Sequence, residues 1–267
     1  MTEADGEAIP IQGIPGFWKH LSNARARYLA LDYDGTLAPF HENRMKAFPL
    51  QGITGCLSAI RESPDTSLAI VSGRPVTELL ELMGDVGIMI VGSHGWETLS
   101  AGKVHRHKSP RPEQEKILDR ATREISHLGL GERVERKVAS VAVHTRALSI
   151  ERAEQVENDF CRLWNADAAA HGMECRRFNG GVELRTMGID KGTILRELLY
   201  AQVPDAFCVY VGDDETDEDA FRAIRQRGFG IKVGQPGVPT LARGWLSDCG
   251  AVLEFLREWI RVTGIAG

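Results

Sequence analysis

Two aspartates separated by one residue, Asp32 and Asp34, close the apolar run Tyr28–Leu31 in the stretch LALDYDGTLAPF. Ser72, Gly73 and Arg74 close the run Leu68–Val71 in IVSGR, and Asp213, Asp214 and Asp217 follow the run Phe207–Val211 in VYVGDDETDED. Lys191 opens a helix-patterned segment in IDKGTILRELL. Taken singly, an aspartate after a strand is commonly a cap or turn residue. Together they ask for more, because ligands of open parallel sheets bind beyond the carboxyl ends of the strands. If the sheet brings the first and fourth strands together, at least three carboxylates converge, and like charges that close stay ionised only with a cation among them. Oxygen-only ligands select a hard cation, and Mg2+ needs few carboxylates because it keeps several waters. A metal beside an ionised carboxylate suits phosphoryl transfer, with the carboxylate as nucleophile and an aspartyl-phosphate as intermediate. The Ser72 hydroxyl and the backbone N–H of Gly73 offer a phosphate two donors. Lys191 adds a full positive charge to a helix N-terminus that already favours anions.

The elements that must position these groups read as strand alternating with helix. Apolar runs at Tyr28–Leu31, Leu68–Val71, Ile88–Val91, Phe207–Val211 and Gly228–Val233 are separated by helix-period segments such as Leu50, Ile53, Leu57 and Ile60. Pro75 suits the first turn of a short helix. This pattern predicts an α/β fold, a doubly wound and mostly parallel sheet with right-handed crossovers. The middle of the chain differs. A helical stripe runs through Ile117, Ala121, Ile125 and Leu128, Val134–Arg146 alternates like one strand, and Ile150–Ala168 returns to helix. Two more strand-like pieces, Met173–Phe178 and Val182–Thr186, flank the hairpin signal Asn179-Gly180-Gly181. The expected organisation is a loose tail over residues 1–15, a core domain over 16–107 and 188–267, and an inserted α+β cap over 108–187. Period two on the cap strand puts Glu135 and Lys137 on one face and His144 and Arg146 on the other.

Composition narrows the partners. The 267 residues are 43% hydrophobic with net charge -5 and no basic block, which argues against a nucleic-acid partner. Five scattered cysteines without a CxxC pair read as reduced thiols rather than a disulfide framework or zinc site. MTEADGEAIP is too polar for a signal peptide, and no apolar run has the length of a membrane span. The expectation is a soluble cytoplasmic monomer with no membrane partner. Walker A and dinucleotide fingerprints are absent, and SGRP lacks the G-x-S-x-G elbow of serine hydrolases.

LDYDGTL, IVSGR, DKG and GDDETDED, in that order, resemble the four signature motifs of the haloacid dehalogenase superfamily of phosphotransferases. The resemblance implies Asp32 as nucleophile and Asp34 as general acid, then base. It implies Ser72, Gly73 and Lys191 as phosphate ligands. Mg2+ would sit on Asp32, the backbone carbonyl of Asp34 and Asp213, with Asp214 and Asp217 as nearby ligands or supports. An acid at position 34 favours a phosphatase or phosphomutase over the superfamily's ATPases and dehalogenases. GSHGWE (Gly92–Glu97) and VERKVASVAVHTR further resemble the trehalose-6-phosphate phosphatase family, over essentially the whole chain after the tail. That likeness implies a cap closing over a sugar phosphate, with Glu135, Lys137, Arg146, Glu183, His94 and Gly95 at substrate-facing positions. One departure stands out: family members carry a lysine four residues before the glutamate matching Glu183, and here Asn179 stands there. The missing charge would have to come from Arg176 or Arg177. Alternatives are a phosphatase for sucrose 6-phosphate, glucosylglycerol phosphate or a pseudo-disaccharide phosphate, a sugar phosphomutase, and a catalytically silent sugar-phosphate binder. Two mutually repelling aspartates speak against the last.

Overall fold

The computed structural model describes residues 8–202 and 206–265 and divides into two units, residues 1–105 with 190–267 and residues 106–189. In chain order the first unit begins with β1 (Ile9–Pro10), α1 (Phe17–Asn23), β2 (Arg27–Leu31), α2 (Ile53–Arg61), β3 (Thr66–Val71) and α3 (Val76–Met83). It continues through β4 (Met89–Gly92), β5 (Glu97–Ser100) and β6 (Lys103–Arg106), which runs to the boundary. The second unit holds α4 (Pro112–His127), β7 (Val134–Arg136), β8 (Ser140–His144), α5 (Ile150–Ala168), β9 (Met173–Phe178) and β10 (Gly181–Thr186). The chain then returns to the first unit with α6 (Lys191–Gln202), β11 (Phe207–Gly212), α7 (Asp217–Ile224), β12 (Gly228–Val233), β13 (Gly244–Leu246) and α8 (Cys249–Thr263).

The nine strands of the first unit lie in the order β1-β13-β12-β11-β2-β3-β4-β5-β6. Pairing is parallel from β1 to β4, and β5 turns back antiparallel. All five residues of β2 are buried, because both faces of the sheet are covered. Leu29 and Leu31 join Ile53, Leu57, Ile60 and Trp259 on one side, while Tyr28 and Ala30 join Leu195, Leu199 and Phe221 on the other. That is why the strand reads as a continuous apolar run rather than an alternation. From β2 the chain proceeds outward through β3 and β4, and from β11 it proceeds the opposite way through β12 and β13. Strand order therefore reverses between β2 and β11, where crevices form in doubly wound sheets. Leu31 stands beside Val211, and Asp32 N–H donates to the Val211 carbonyl at 2.8 Å.

The loose tail expected through residue 15 ends sooner. β1 pairs with Gly244–Trp245, and Ile11 is buried in the core, an apolar anchor outweighing the polar start of the chain. Residues 1–7 lie outside the described residues.

The second unit is a four-stranded antiparallel sheet, β7-β8-β10-β9. Its core joins Val141, Val143, Val182 and Leu184 to Leu118 and Ile125 of α4 and Phe160 and Trp164 of α5. The single strand expected over Val134–Arg146 is instead a hairpin of β7 and β8, closed by Lys137 N–H on the Ser140 carbonyl at 2.9 Å. Its reversal, Lys137-Val138-Ala139-Ser140, contains no Gly, Pro, Asn or Asp and offers only Ser140 as a turn residue, so it reads weakly as a turn. The signalled turn does form, with Asn179 and Gly180 linking β9 to β10 and Gly181 already paired with Phe178. Gly180 takes φ +99. Cys161 and Cys175, distant in sequence, bring their free sulfurs within 3.0 Å. Among the described residues no helix is long and apolar enough to cross a membrane.

Candidate active site

Asp32 and Asp213 leave adjacent strands at the point where strand order reverses, and Asp217 opens α7. Ligand oxygens of these three lie within 4.8 Å of one another. Lys191 Nζ, at the N-terminus of α6, sits 3.0 Å from Asp32 Oδ1 and 2.7 Å from Asp217 Oδ1. Asp217 also accepts from Tyr210 Oη at 2.6 Å and from the backbone N–H of Asp214 at 2.8 Å, so it is the fixed counter-charge of the lysine. Asp213 Oδ1 is enclosed and has no hydrogen-bond partner. Close approach here depends on glycine: a Cβ on Gly35, at φ +71, would fall 2.2 Å from Asp213 Oδ2, and one on Gly212 would fall 2.3 Å from the Asp217 carboxyl carbon.

Three carboxylates and one ammonium make an excess of negative charge, and it shows in the protonation equilibria. Burial pushes the Asp32 carboxyl up to about 7, with Lys191 opposing and Asp217 and Asp34 reinforcing the rise. Burial and the neighbouring Asp32, Asp217 and Asp214 hold Asp213 well above the carboxylate range. Burial would raise Asp217 too, but the Lys191 ammonium with its hydrogen bond, and those from Tyr210 and Asp214, bring it below the usual value. Lys191 is raised: burial alone would lower it, and Asp217 and Asp32 reverse the sign. An oxygen-only donor set with an orphaned carboxylate oxygen fits a hard divalent cation such as Mg2+. Asp32 and Asp213 are side chains that could hold it. Asp214 lies outside the cluster; its Oδ1 accepts from the Glu215 N–H at 2.7 Å, which turns it into its own loop.

Asp34 is held by a different cation. Its carboxylate takes both bonds of a fork from Arg74, Nε to Oδ2 at 2.6 Å and Nη2 to Oδ1 at 2.7 Å. Ser72 is buried, and its Oγ accepts from the Arg74 N–H at 3.2 Å. The His94 ring covers Gly73, whose missing Cβ would lie 2.6 Å from it. Ser93, His94 and Gly95 all have positive φ, at +50, +57 and +109, a strain of about 1–3 kcal/mol for each non-glycine residue. Ser93 N–H on Arg74 O at 2.8 Å, His94 N–H on Ser72 O at 3.0 Å, and Ser93 Oγ on Glu97 at 2.9 Å hold that loop. His94 and Gly95 therefore shape the Ser72–Arg74 loop directly. Sequence reasoning left Arg74, Glu97 and Tyr210 without roles. Arg74 had a signal, its place inside IVSGR, whereas Glu97 and Tyr210 had none.

In the second unit Glu183 accepts from Lys137 Nζ at 2.9 Å and Ser140 Oγ at 2.7 Å. Lys137 is also 3.8 Å from Glu135, whose Oε2 meets His144 Nε2 at 2.7 Å. The hairpin corrects the single-strand expectation: it brings His144 and Glu135, assigned to opposite faces, onto one. Arg146 lies at the β9–β10 turn, donating to the Asn179 backbone carbonyl and lying over Gly180. Arg176 is engaged by Glu174 at 3.1 Å and Arg177 by Glu157 at 3.1 Å, so neither supplies a charge at Asn179 in this conformation. Arg146 does.

A mostly parallel sheet with these carboxylates, a lysine and a serine loop at its switch point is the haloacid dehalogenase type of α/β fold. Consistent with that class, a haloacid dehalogenase-like hydrolase from Bacteroides thetaiotaomicron superposes with TM-score 0.58 at 20% identity, covering 87% of this chain and 98% of that one. Within the class the chain belongs to the trehalose-phosphatase family, whose model matches residues 30–241. It is similar to a bifunctional trehalose-6-phosphate synthase/phosphatase of Thermoproteus tenax, 32% identical over 244 residues, 89% of this chain and 32% of that protein. A probable trehalose-phosphate phosphatase of Oryza sativa is 32% identical over 265 residues, 86% of this chain and 68% of the relative. The chain thus spans a third of the first relative's length and about two thirds of the second's. The C-terminal domain of a Candida albicans trehalose-6-phosphate phosphatase shares the fold with TM-score 0.83 at 22% identity, covering 98% of this chain and all of that one.

Proposed function

We propose that the chain is a Mg2+-dependent phosphatase that converts trehalose 6-phosphate to trehalose and phosphate. The observation that carries the chemistry is the pair of separately held aspartates: Asp32 against Lys191, and Asp34 forked by Arg74. One oxygen of Asp32 attacks phosphorus as the ester P–O bond breaks, and Asp34, protonated on one oxygen while Arg74 keeps the other, gives that proton to the leaving sugar oxygen. Water then attacks the phosphorus of the aspartyl-phosphate, Asp34 takes the water's proton, and the bond to Asp32 breaks. Ser72, the Gly73 N–H and Lys191 hold the phosphoryl oxygens. Asp32, Asp213 and the Asp34 carbonyl, with Asp214 and Asp217 nearby, would hold Mg2+, which would supply positive charge toward the nucleophile and the phosphoryl group. The substrate assignment rests on the family and on the names its relatives bear. Glu135, Lys137, Arg146 and Glu183, with His94 and Gly95, are assigned to the sugar. The working unit is a single chain in the cytoplasm.

One observation favours a second reading, a phosphatase for another glycosyl phosphate: Asn179 carries Arg146 where the family pattern has lysine. Phosphate release from trehalose 6-phosphate, sucrose 6-phosphate, glucosylglycerol phosphate and hexose phosphates decides. Trehalose 6-phosphate is expected to lead by kcat/KM, and Asp32→Asn to lose at least about 10⁴-fold on every substrate. Preference for another ester moves the substrate; unchanged turnover in Asp32→Asn removes the nucleophile.

A further inference from the structure

Asp34 must aim a proton at a leaving oxygen and later accept one from water, yet its side chain is 29% exposed and turns about two torsions. What fixes it lies further back. Arg74 grips both its oxygens, and a bidentate fork sets the carboxylate plane as well as its position. Arg74, only 8% exposed, is a longer side chain than the one it orients, so it needs holding itself. The Tyr33 ring lies 5.7 Å beneath the guanidinium, a cation–π contact. Glu78, four residues along in the first turn of α3, makes an ion pair with Arg74 Nη1 at 3.5 Å, without a hydrogen bond. Glu78 is in turn forked by Arg44, Nη1 to Oε2 at 2.8 Å and Nη2 to Oε1 at 2.5 Å. Charges alternate along the chain Asp34, Arg74, Glu78, Arg44, so each link is attractive.

The anchor at the far end is firm. Glu78 stands in the first turn of α3, where a carboxylate is favoured by the helix dipole. Arg44 comes from a separate short turn, Arg44–Lys46, whose Asn43 cap accepts from the Met45 N–H at 3.0 Å. The arm thus ties the acid–base aspartate to α3 and to a loop more than thirty residues earlier in sequence than Glu78.

We propose that Arg74, Glu78 and Arg44 form a positioning arm that holds Asp34 aligned on the leaving-group oxygen, with Glu78 the residue that fixes Arg74. This rests on the phosphatase reading above. None of the three is given a proton to move; each acts through the next.

Leaving-group chemistry separates this role from a structural one. A sugar alkoxide needs a proton as it departs, whereas 4-nitrophenolate departs without one. The measure is kcat/KM, which for a phospho-enzyme route reports the step that forms it. In Glu78→Gln, kcat/KM for the preferred sugar phosphate is expected to fall about 10-fold or more, and for 4-nitrophenyl phosphate less than about 3-fold. Arg74→Lys, which keeps the charge and loses the fork, should show the same split more strongly, and Glu78→Asp should recover part of it. Equal losses on both esters, or no loss on the sugar phosphate, overturn the arm. Wild type against Asp32→Asn tests the phosphatase reading itself. A crystal structure of Glu78→Gln tests the arm without turnover. A displaced Asp34–Arg74 fork supports it, and an undisturbed fork overturns it.

Discussion

In the first unit Asp32, Asp213 and Asp217 share one ammonium, that of Lys191. In the second, Glu135 and Glu183 lie with Lys137, whose ammonium is within 3.8 Å of both, and with His144 and Ser140, which meet Glu135 and Glu183 at 2.7 Å. The two clusters have similar ingredients and different balance. The core cluster is short of positive charge, with an enclosed Asp213 oxygen that meets no donor; such a site fits a cation. The cap cluster is closer to charge balance, so a ligand hydroxyl there competes with bonds already made at Glu183 and at Glu135 Oε2, while Glu135 Oε1 is a buried oxygen with no hydrogen-bond donor. A cluster that fits a cation and a cluster closer to balance respond to loss of one charge with opposite signs.

Asp213→Asn is the largest break in that comparison. It removes a side chain assigned to the metal and should cost about 10³-fold or more in kcat with Mg2+ present. At the same time it relieves repulsion, so the metal-free variant should melt about 2–6 °C above the metal-free wild type. Adding Mg2+ should raise the melting temperature of the wild type and leave the variant nearly unmoved. A wild type indifferent to Mg2+, measured by thermal unfolding after chelation and readdition, would break the reading of the core as a site short of a cation.

Lys137→Ala should move stability the other way. Glu135 and Glu183 are 5% and 4% exposed, and removing their shared ammonium leaves buried carboxylates undercompensated, a loss of about 3–5 kcal/mol. Far-UV circular dichroism of α4 and α5 content through a urea series checks it. Lys137→Met together with Glu183→Gln should restore much of the loss, since the pair then disappears as a unit. If Lys137→Ala is as stable as wild type, the cap cluster is not the charge-paired network its geometry describes.

The same contrast explains what was legible in the sequence. The core motifs are short and local: DxDGT, SGR, DKG and GDDETDED each end a strand or open a helix, and apolar runs locate those ends whatever the tertiary structure does. β2, β3 and β11 fall where the runs predict, and the switch point follows from strand order alone. Cap geometry is set across strands. One weakly signalled reversal at Lys137-Val138-Ala139-Ser140 turned an apparent single strand into a hairpin and moved His144 to the face of Glu135. Period two assumed across a turn puts every later residue on the wrong face. The Arg44–Glu78–Arg74 arm was hidden for a related reason: its members come from three elements, and only Arg74 lies within a motif. Asn179 was visible as a departure, but its consequence was not, because Arg146 reaches it from 33 residues away.

The smallest test asks whether the cap's balance extends beyond its buried cluster. Glu174 on β9 stands opposite Arg185 on β10, accepting from Arg185 Nε at 2.7 Å, with Arg176 at 3.1 Å. Burial would raise its carboxyl, but Arg185 and then Arg176 outweigh it and hold the group below the ordinary 4.5. A depressed folded value means the unfolded chain binds the proton more readily, so the contribution to stability is present above the unfolded value and is lost as pH falls through the folded one. The pair is partly solvated, so about 0.2–1 kcal/mol is the scale, or roughly 1–3 °C of melting temperature. Glu174→Gln should therefore melt slightly below wild type at pH 7, with the gap closing as pH is lowered past the ordinary glutamate value. A gap independent of pH would mean that Glu174 contributes by packing, and that the charge balance of the cap stops at Glu135, Lys137 and Glu183.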